Sequence, residues 1–484
     1  MNSVSRNQYG ELFAEHEFTV LSFHDLVQDN PTHRIDSEYF QKRFLKNVAS
    51  IQAYPGGWTR LGDELKEITG GATPLGANYP DKGVRFLRVQ NVMPNYIDDS
   101  DLTYITKLDD EALSRSRLKR NDVLLTITGV SYGKSAVVTE EFAGSNINQH
   151  SVRMELKNER FRPHFISAFL NSKAGKLQSD QNIAGVTRPA LDYEAIRRFR
   201  IPLVSDHLQL KVAEVVMLGQ HKYEIAKKKV IDAEKLLLKL LYLDNWSVPE
   251  PLTYVRCASE IAEAQRLDSE FFQPKVPMLQ KHLGANYKLV TLGDIGVVDS
   301  GRTVPYSSIG TIPIIRSGDL DDLERESRFL FAQPSEPIFY LEPEDVLISS
   351  IGFGSIGKIQ VFNKTKQFGA VSEITVVRQK RLNPYYLMFY LRSQAGQMQI
   401  NRFITGATGQ LHLYPRNVKQ IFAPEIARDK QDAFEGVIHS TITTTQDARA
   451  LFKAAQRAIE IAIDISEDAA LAYLEAETHS HATK

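Results

Sequence analysis

Apolar positions follow two periods along this chain, in alternating blocks. From residue 58, and again from 287, short aliphatic and β-branched runs are divided by turns. Residues 122–128 and 345–350 are compact apolar runs bounded by Gly-containing turns, and 135–138 and 359–362 suit the return strands of hairpins. Residues 163–174 and 384–395 instead carry apolar residues at helical spacing (Phe165, Ile166, Phe169, Leu170; Tyr386, Leu387, Tyr390, Leu391), each followed by glycine, which predicts one helix in each block. Two further stretches lack proline. Across 206–243, Leu208, Val212, Val215, Val216, Tyr223, Ala226, Val230, Ala233, Leu237, Leu240 and Leu241 recur at three- and four-residue spacing. Across 429–477, Phe434, Val437, Ile438, Ile442, Ala448, Leu451, Phe452, Ala455, Ile459, Ala462 and Ile465 do the same. Each predicts one long amphipathic helix, about 57 Å for some 38 residues at 1.5 Å per residue. Alone, each would leave an apolar stripe in water, so the two are expected to pair, antiparallel.

The blocks repeat because the sequence contains itself twice. Arg34-Ile35-Asp36-Ser37-Glu38-Tyr39-Phe40-Gln41 returns as Arg266-Leu267-Asp268-Ser269-Glu270-Phe271-Phe272-Gln273, and Leu61-Gly62-Asp63 as Leu292-Gly293-Asp294. Val84–Arg88 reads like Ile312–Arg316, and Leu118–Leu125 like Leu341–Ile348. Gly129…Gly133-Lys134 matches Gly352…Gly357-Lys358 with one extra residue. Late in each half, Leu170-Asn171-Ser172-Lys173-Ala174-Gly175 mirrors Leu391-Arg392-Ser393-Gln394-Ala395-Gly396, and Gly185-Val186-Thr187 mirrors Gly406-Ala407-Thr408. So many colinear matches mark a tandem duplication with a domain-sized period.

The fold class is therefore α+β: a tandem pseudo-two-fold repeat of two β-rich lobes, each followed by a long α-helix, the two helices pairing as an antiparallel coiled-coil-like spacer. The expected boundaries are 1–57 for an N-terminal extension holding the first eight-residue repeat, 58–204 for lobe one, and 205–246 for a central spacer helix. They continue with 247–286 for a linker holding the second repeat, 287–425 for lobe two, 426–477 for a C-terminal spacer helix, and 478–484 for a disordered tail. The eight-residue repeat reads as a structural anchor packing on the helical rod, with partner docking as its alternative.

Composition narrows the chemistry. The 484 residues are 42% hydrophobic and 24% charged, enough apolar mass for several cores. No run approaches the ~18 apolar residues of a membrane span, and the first residues are polar rather than a secretory h-region, so a cytoplasmic location is expected. A lone cysteine, Cys257, forms no internal disulfide and no Cys-clustered metal site. A net charge of −1 argues against a uniformly basic nucleic-acid binder without excluding local basic surfaces.

Catalytic motifs fail one by one. Gly352-Phe353-Gly354-Ser355-Ile356-Gly357 fits a dinucleotide fingerprint, but that motif needs a helix opening at its last glycine, and Lys358–Phe362 is strand-like; a glycine-rich β-turn is the better reading. No phosphate-binding loop, no His-Glu-x-x-His and no aminomethyltransferase motif occurs. His33, His150, His207 and His412 are scattered, so no metal site is expected. The acid pairs Asp98-Asp99 and Asp321-Asp322 read as solvated loop residues. Nothing assembles a nucleophile with its base, which leaves a binding protein and no catalytic residue.

Each lobe has a slight basic excess, with clusters at 115–120 and 197–200 suited to phosphates. Near the paired strands and turns lie side chains able to read base edges, Arg for guanine and Asn or Gln for adenine. The candidates in lobe one are Thr73, Arg88, Gln90, Asn91, Lys134, Asn148, Gln149, His150, Thr187 and Arg188. Those in lobe two are Arg302, Arg316, Lys358, Thr408, Gln410 and His412.

The order of these elements resembles the DNA-specificity (S) subunit of Type I restriction–modification systems. It is carried by Trp58-Thr59-Arg60-Leu61-Gly62-Asp63…Thr69-Gly70-Gly71-Ala72-Thr73-Pro74, Asp122-Val123-Leu124-Leu125, Gly185-Val186-Thr187 and Phe199-Arg200-Ile201-Pro202, then a long helix, and then the whole again. The resemblance implies two target-recognition domains, each reading one half of a split, asymmetric double-stranded DNA sequence. It implies that the helices separate them and dock DNA adenine methyltransferase subunits, two of them, and that a restriction (translocase) subunit completes the complex. Catalysis, S-adenosylmethionine, ATP and Mg would then belong to those partners, with no cofactor in this chain. The alternative is a scaffold or adaptor whose lobes bind protein, which the near-neutral charge favours.

Overall fold

The structure is a computed structural model that describes residues 20–27, 30, 34–76, 79–183, 190–248, 251, 253–323, 329–352, 354–406 and 411–482. It divides into two units, Met1–Ile225 with Thr444–Lys484, and Ala226–Thr443. The division falls inside both long helices.

In the first unit, Trp58–Arg60 pairs antiparallel with Arg200–Pro202 and brings the two ends of the lobe together. Between them, a four-stranded antiparallel sheet runs Leu65–Gly70, Ser151–Leu156, Val123–Thr126, Ser135–Val137. A smaller sheet sets Val84–Leu87 antiparallel to Thr103–Ile105 and parallel to Asn146–Ile147. The second unit repeats the four-stranded sheet strand for strand and the core of the smaller one, to which it adds Phe339–Tyr340 where the first unit has a separate hairpin, Val92–Met93 with Tyr96–Ile97. Lys288–Thr291 pairs with Phe422–Glu425, and the four-stranded sheet runs Gly296–Ser300, Ile374–Gln379, Val346–Ser349, Ile359–Val361. Ile312–Ile315 lies antiparallel to Leu330–Ala332 and parallel to Gly369–Ala370. The matching parallel pair inside otherwise antiparallel sheets is the duplication written in the backbone.

Val123–Thr126 and Val346–Ser349 are buried at every position, which is why they read as unbroken apolar runs. Each is entered through a left-handed residue, Asn121 (φ 70°) or Glu344 (φ 74°). A buried aspartate follows. Asp122 accepts from the Lys119 amide (2.8 Å) and from Arg153 Nη1 (3.2 Å); Asp345 accepts from the Glu342 amide (2.8 Å) and bidentately from Arg378 Nε (2.8 Å) and Nη2 (2.7 Å). The arginines are not equivalent in register. Arg153 precedes Met154, which faces Val123, whereas Arg378 follows Val377, which faces Val346. The aspartate stayed and its counter-ion moved.

The helices following each sheet correct the expectation of one helix apiece. Pro163–Asn171 ends at Ser172, whose hydroxyl accepts from the Gly175 amide to start Lys173–Asn182; Pro384–Arg392 is likewise followed by Gln394–Phe403. The glycines that looked like helix stops lie inside the second helices. A Cβ on Gly175 would come within 2.3 Å of the Phe169 carbonyl, and one on Gly396 within 2.3 Å of Leu391 Cα, so the two helices meet backbone to backbone there.

Asp206–Leu240 forms as one helix. In the first unit its opening turns run antiparallel to the later helix: Gly219 faces Phe452 and Ala448, and Lys222 Nζ lies 3.3 Å from Asp447. Leu208, Val212, Val215 and Val216 join Leu451, Phe452, Ala455 and Ile459 in the core of that unit. In the second unit, Lys229 Nζ donates to Ser440 Oγ (2.6 Å), and Ala233 and Leu237 are buried with Phe434.

The C-terminal stretch differs from the single helix expected. Arg428–Asp464 is followed by a break at Ile465 and Ser466 and a second helix, Glu467–Ala482, so residues 478–482 are helical rather than a loose tail. Ser466 accounts for the break, since its hydroxyl accepts from the Ala469 amide (3.2 Å). The Glu467 carboxylate then accepts from Ser205 and from Tyr54, tying the new helix to the lobe.

The eight-residue repeat packs on the lobes' second helices, not on the long helices. Arg34 and Asp36 form a bidentate pair (2.7 Å each), and Asp36 also accepts from the Tyr39 amide (3.0 Å). The remaining guanidinium nitrogen of Arg34 reaches the carbonyls of Gln181 and Ile183, and the Gln181 side chain returns to the Tyr39 carbonyl (3.1 Å). The second copy does the same. Arg266 and Asp268 pair at 2.7 and 2.9 Å, Asp268 accepts from the Phe271 amide, Arg266 reaches the Ile404 carbonyl, and Arg402 returns to the Phe271 carbonyl (3.0 Å). The pairing with Arg34 lowers the Asp36 carboxyl below the ordinary range, and that with Arg266 does so for Asp268.

Candidate nucleic-acid interface

One end of the four-stranded sheet in each lobe collects the loops that follow its first and third strands and precede its second. In lobe one these are residues 71–76 with 79–83, 127–134 and 148–150. The segment after the second helix joins them, because Ala190 bridges Thr128 and the Leu191 amide donates to the Ile127 carbonyl (2.9 Å). In lobe two the equivalents are 301–311, 350–352 with 354–358, and 371–373, with His412 bridging Ile351 and the Leu413 amide donating to the Ser350 carbonyl (2.8 Å).

The loops are held together by a close backbone approach. A Cβ on Gly71 would come within 2.0 Å of the Ile147 carbonyl, and one on Gly301 within 2.3 Å of those of Ala370 and Val371. Two residues on, Thr73 Oγ1 donates to Gln149 Oε1, and Thr303 shares a hydrogen bond with Ser372 (2.7 Å). In lobe one the row continues: Gln149 Nε2 lies 3.3 Å from His150 Nε2, and His150 Nδ1 is hydrogen-bonded to Thr128 Oγ1. Hydroxyl, amide and imidazole thus line the end of three neighbouring strands, half-exposed or exposed, in the chemistry that reads base edges. Lobe two presents a different face. Arg302 lies over the Phe339 ring, and His412 stacks on Tyr414 (5.7 Å between centroids, 10° between planes), which carries Arg416 above it. Leu75 and Val130 in lobe one, and Tyr306 and Ile309 in lobe two, add exposed apolar surface to these loops.

The glycine-rich turns belong to the same ends. Gly129 and Gly133, and Gly352, Gly354 and Gly357, all have positive φ, and the amides of Gly133 and Gly357 return to the preceding strand at Thr126 and Ser349. The strand Ile359–Val361, not a helix, follows Gly357, so the turn has no helix N-terminus to offer a pyrophosphate.

Of the other described candidates, Arg88, Gln90, Asn91 and Arg316 lie outside these loops, while Lys134, Asn148 and Lys358 lie within them. Arg88 is paired with Asp101 (2.9 Å), and Gln90 donates to the same carboxylate (3.1 Å). Asn91 is buried, accepting from the Arg88 amide and donating to the carbonyls of Asp98 and Asp101, so it builds its own loop. Arg316 is engaged by Asp319 (3.1 Å), and Lys358 by Asp321 (2.8 Å). Lys134 Nζ lies 3.7 Å from Met93 Sδ, and Asn148 is buried, accepting from the His150 amide. Thr187, Arg188, Thr408 and Gln410 lie outside the described residues. The basic clusters are largely matched by acids: Arg117 by Asp110, Lys119 by Glu155 and Arg197 by Glu194. Held by Lys119 and Lys66, the Glu155 carboxyl falls to about 2. Sequence reasoning missed Thr303 and Ser372, although aligning the two copies places them opposite Thr73 and Gln149.

Among the described residues, no group of three or more His, Cys, Asp or Glu could hold a metal ion, and no helix is long and apolar enough to cross a membrane.

Residues 285–424, the second lobe, match the family model described as the Type I restriction modification DNA specificity domain. The chain is also similar to the Type I restriction enzyme EcoBI specificity subunit of Escherichia coli, 26% identical over 182 residues, which is 37% of this chain and 34% of that protein. The match therefore spans about a third of that relative's length. Among solved structures, the chain is similar to the Type-I restriction-modification system S subunit from M. genitalium (14% identity, 87% of this chain, 96% of that one, TM-score 0.36). It is also similar to the HsdS subunit from Thermoanaerobacter tengcongensis (15% identity, 85% and 97%, TM-score 0.28).

Proposed function

We propose that this chain, which belongs with the Type I restriction modification DNA specificity family through its second lobe, is the sequence-specific DNA-recognition subunit of a Type I restriction–modification complex. Each lobe reads one half of a split, asymmetric target with the loop end of its four-stranded sheet. The long helices set the unread spacer and dock DNA adenine methyltransferase subunits, and a restriction subunit completes the assembly. The chain itself performs no chemistry; S-adenosylmethionine, ATP and Mg serve the partners.

One observation carries this reading. Two lobes whose four-stranded sheets share one strand order present unlike polar side chains at the same loop end: Thr73, Gln149 and His150 in one, Arg302, Thr303, Ser372 and His412 in the other. A common scaffold with divergent reading ends is what an asymmetric bipartite target requires. Within each half, amide, imidazole and guanidinium groups discriminate bases, while the remaining exposed cations meet phosphates.

The test is duplex-DNA binding by the chain with its methyltransferase as salt is raised. Recognition through phosphates and bases predicts that log affinity falls linearly with log salt, and that a target duplex outcompetes an unrelated one. Absence of DNA binding at any salt would overturn this reading in favour of a protein-binding scaffold.

A further inference from the structure

Lobe one carries a hairpin that has no equivalent among the described residues of lobe two. Val92–Met93 pairs with Tyr96–Ile97 after the first strand of the smaller sheet, where lobe two makes a single helical turn, Ser317–Asp319. The hairpin turns at Asn95, which is buried and left-handed (φ 71°), a conformation that asparagine tolerates better than most side chains.

The hairpin has two sides. Toward the lobe, the Asn95 amide donates to the Ser135 carbonyl (2.8 Å), and its side-chain oxygen accepts from Ser167 Oγ (3.2 Å) and Asn171 Nδ2 (3.0 Å). Toward the long helices, the Asn95 carbonyl accepts from Gln220 Nε2 (2.7 Å). The Tyr96 ring lies 4.4 Å from that of Tyr223 and is stacked on Phe452 (5.4 Å between centroids, 9° between planes). Packing alone does not require this arrangement. Asn95 Nδ2 is buried with no hydrogen-bond partner among the described residues, a cost that an apolar turn would avoid. Directional bonds to the lobe and to a helix together hold an angle, which apolar contact alone leaves free to slip.

The lobe's other holds lie toward one end of the helices. The Arg162 amide donates to Gln209 Oε1 (3.0 Å), Gln209 Nε2 to the Arg160 carbonyl (3.1 Å), and the Lys173 amide to Glu460 (2.9 Å). Gln220 lies about 16 Å beyond Gln209 along the helix at ~1.5 Å per residue. A body held at one end of that span pivots, and a swing of about 12° displaces the other end by about 3.4 Å, one base-pair rise of B-DNA. The displaced end is the reading end, since Ser135 follows the glycine-rich turn and Lys134 Nζ lies 3.7 Å from Met93 Sδ.

We propose that this hairpin is a clamp fixing the angle of lobe one on the long helices, and that Asn95, Tyr96 and Gln220 decide how strictly one spacer length is enforced. They are positioning residues and touch no base. The proposal rests on the specificity-subunit reading and adds to it: helix length sets the mean spacer, and the clamp sets the tolerance around that mean.

The full chain, in complex with its DNA methyltransferase, is assayed for methylation of duplexes holding the two half-sites at the native spacer, or at one base pair shorter or longer. The wild type is expected to disfavour the altered spacers by about tenfold or more, because a half-site off register forfeits base contacts worth about that much each. Gln220→Ala with Tyr96→Leu is expected to erase most of that preference, Gln220→Ala alone part of it, and Tyr96→Phe, which keeps the ring, none. Discrimination against a substituted base inside either half-site stays as in the wild type, which separates a freed angle from a damaged reading end. Unchanged spacer preference in the double variant, or base discrimination lost together with spacer preference, overturns the clamp and leaves the specificity reading standing. A wild-type complex indifferent to both spacer and half-site sequence overturns both.

Discussion

The paired aspartates predict an asymmetry between the lobes. Asp122 and Asp345 are equally buried, but they are not equally compensated. Burial pushes the Asp122 carboxyl above its ordinary range, although the Lys119 amide and Arg153 pull it down. The ionised form is therefore held at a net cost. Asp122→Asn relieves that cost and keeps an oxygen for the Lys119 amide, and Arg153 still has Glu67 and Glu155 as counter-ions. Its expected effect is within about 1 kcal/mol. Asp345 instead receives both prongs of Arg378, and that pairing raises the guanidinium's pKa. Asp345→Asn breaks the fork. Removing one partner of a buried pair costs about 3–5 kcal/mol; Glu342 remains at 2.7 Å and the Arg378 side chain is 31% exposed, which lowers the expectation to about 2–3 kcal/mol. Amide exchange in Val123–Thr126 and Val346–Ser349 reads each lobe separately, avoiding a two-state assumption for a chain of two units. An Asp122→Asn loss equal to or larger than that of Asp345→Asn would refute this account of the two pairs.

Three further outcomes follow from the same structure. Deleting four residues from Asp206–Leu240 with the opposing four from Arg428–Asp464 removes about 6 Å of helix; the unread spacer of the methylated target should shorten by about two base pairs at ~3.4 Å each, and an unchanged spacer refutes the ruler. Burial lowers His164 to about 4 against the hydrogen bond that its ring makes to Gln220. The unfolded chain therefore takes up that proton near 6.5 and the folded one only near 4, so stability declines as pH falls through that window, by at most about 3 kcal/mol. His164→Gln should flatten that decline in urea midpoints measured between pH 7 and 4. Gly396→Ala forces a Cβ to within 2.3 Å of Leu391 Cα, and should lower the stability of lobe two by about 3 kcal/mol, seen as faster exchange in Ile374–Gln379 with lobe one unchanged.

The duplication and the strand-rich lobes were readable because the buried strands, such as Val123–Thr126 and Val346–Ser349, write their burial as uninterrupted apolar runs. The glycine-rich turns were readable because positive φ selects glycine at Gly133 and Gly357. Helix boundaries were harder to read. Ser172 and Ser466 each break a continuous helical pattern by capping the next segment, and a serine within an apolar repeat does not announce that use. The site was only partly readable, because a base-reading side chain and a loop-building one look alike in sequence. Arg88 and Arg316 are drawn off by Asp101 and Asp319, Asn91 by three backbone groups and Arg302 by Asp299 and the Ser300 carbonyl, whereas Gln149 and His150 stay at the loop end. The seat of the eight-residue repeat was out of reach, since the contacts of Arg34 with Ile183 and of Arg266 with Ile404 span well over a hundred residues.

The most direct test is the sequence of methylated sites in cells carrying the complex, mapped for the wild type and for Gln149→Ala with His150→Ala. The account predicts two specified blocks separated by unspecified bases, with the variant relaxing one block and leaving the other and the spacing intact. A single unbroken block, or relaxation of both blocks by a change confined to lobe one, would contradict it.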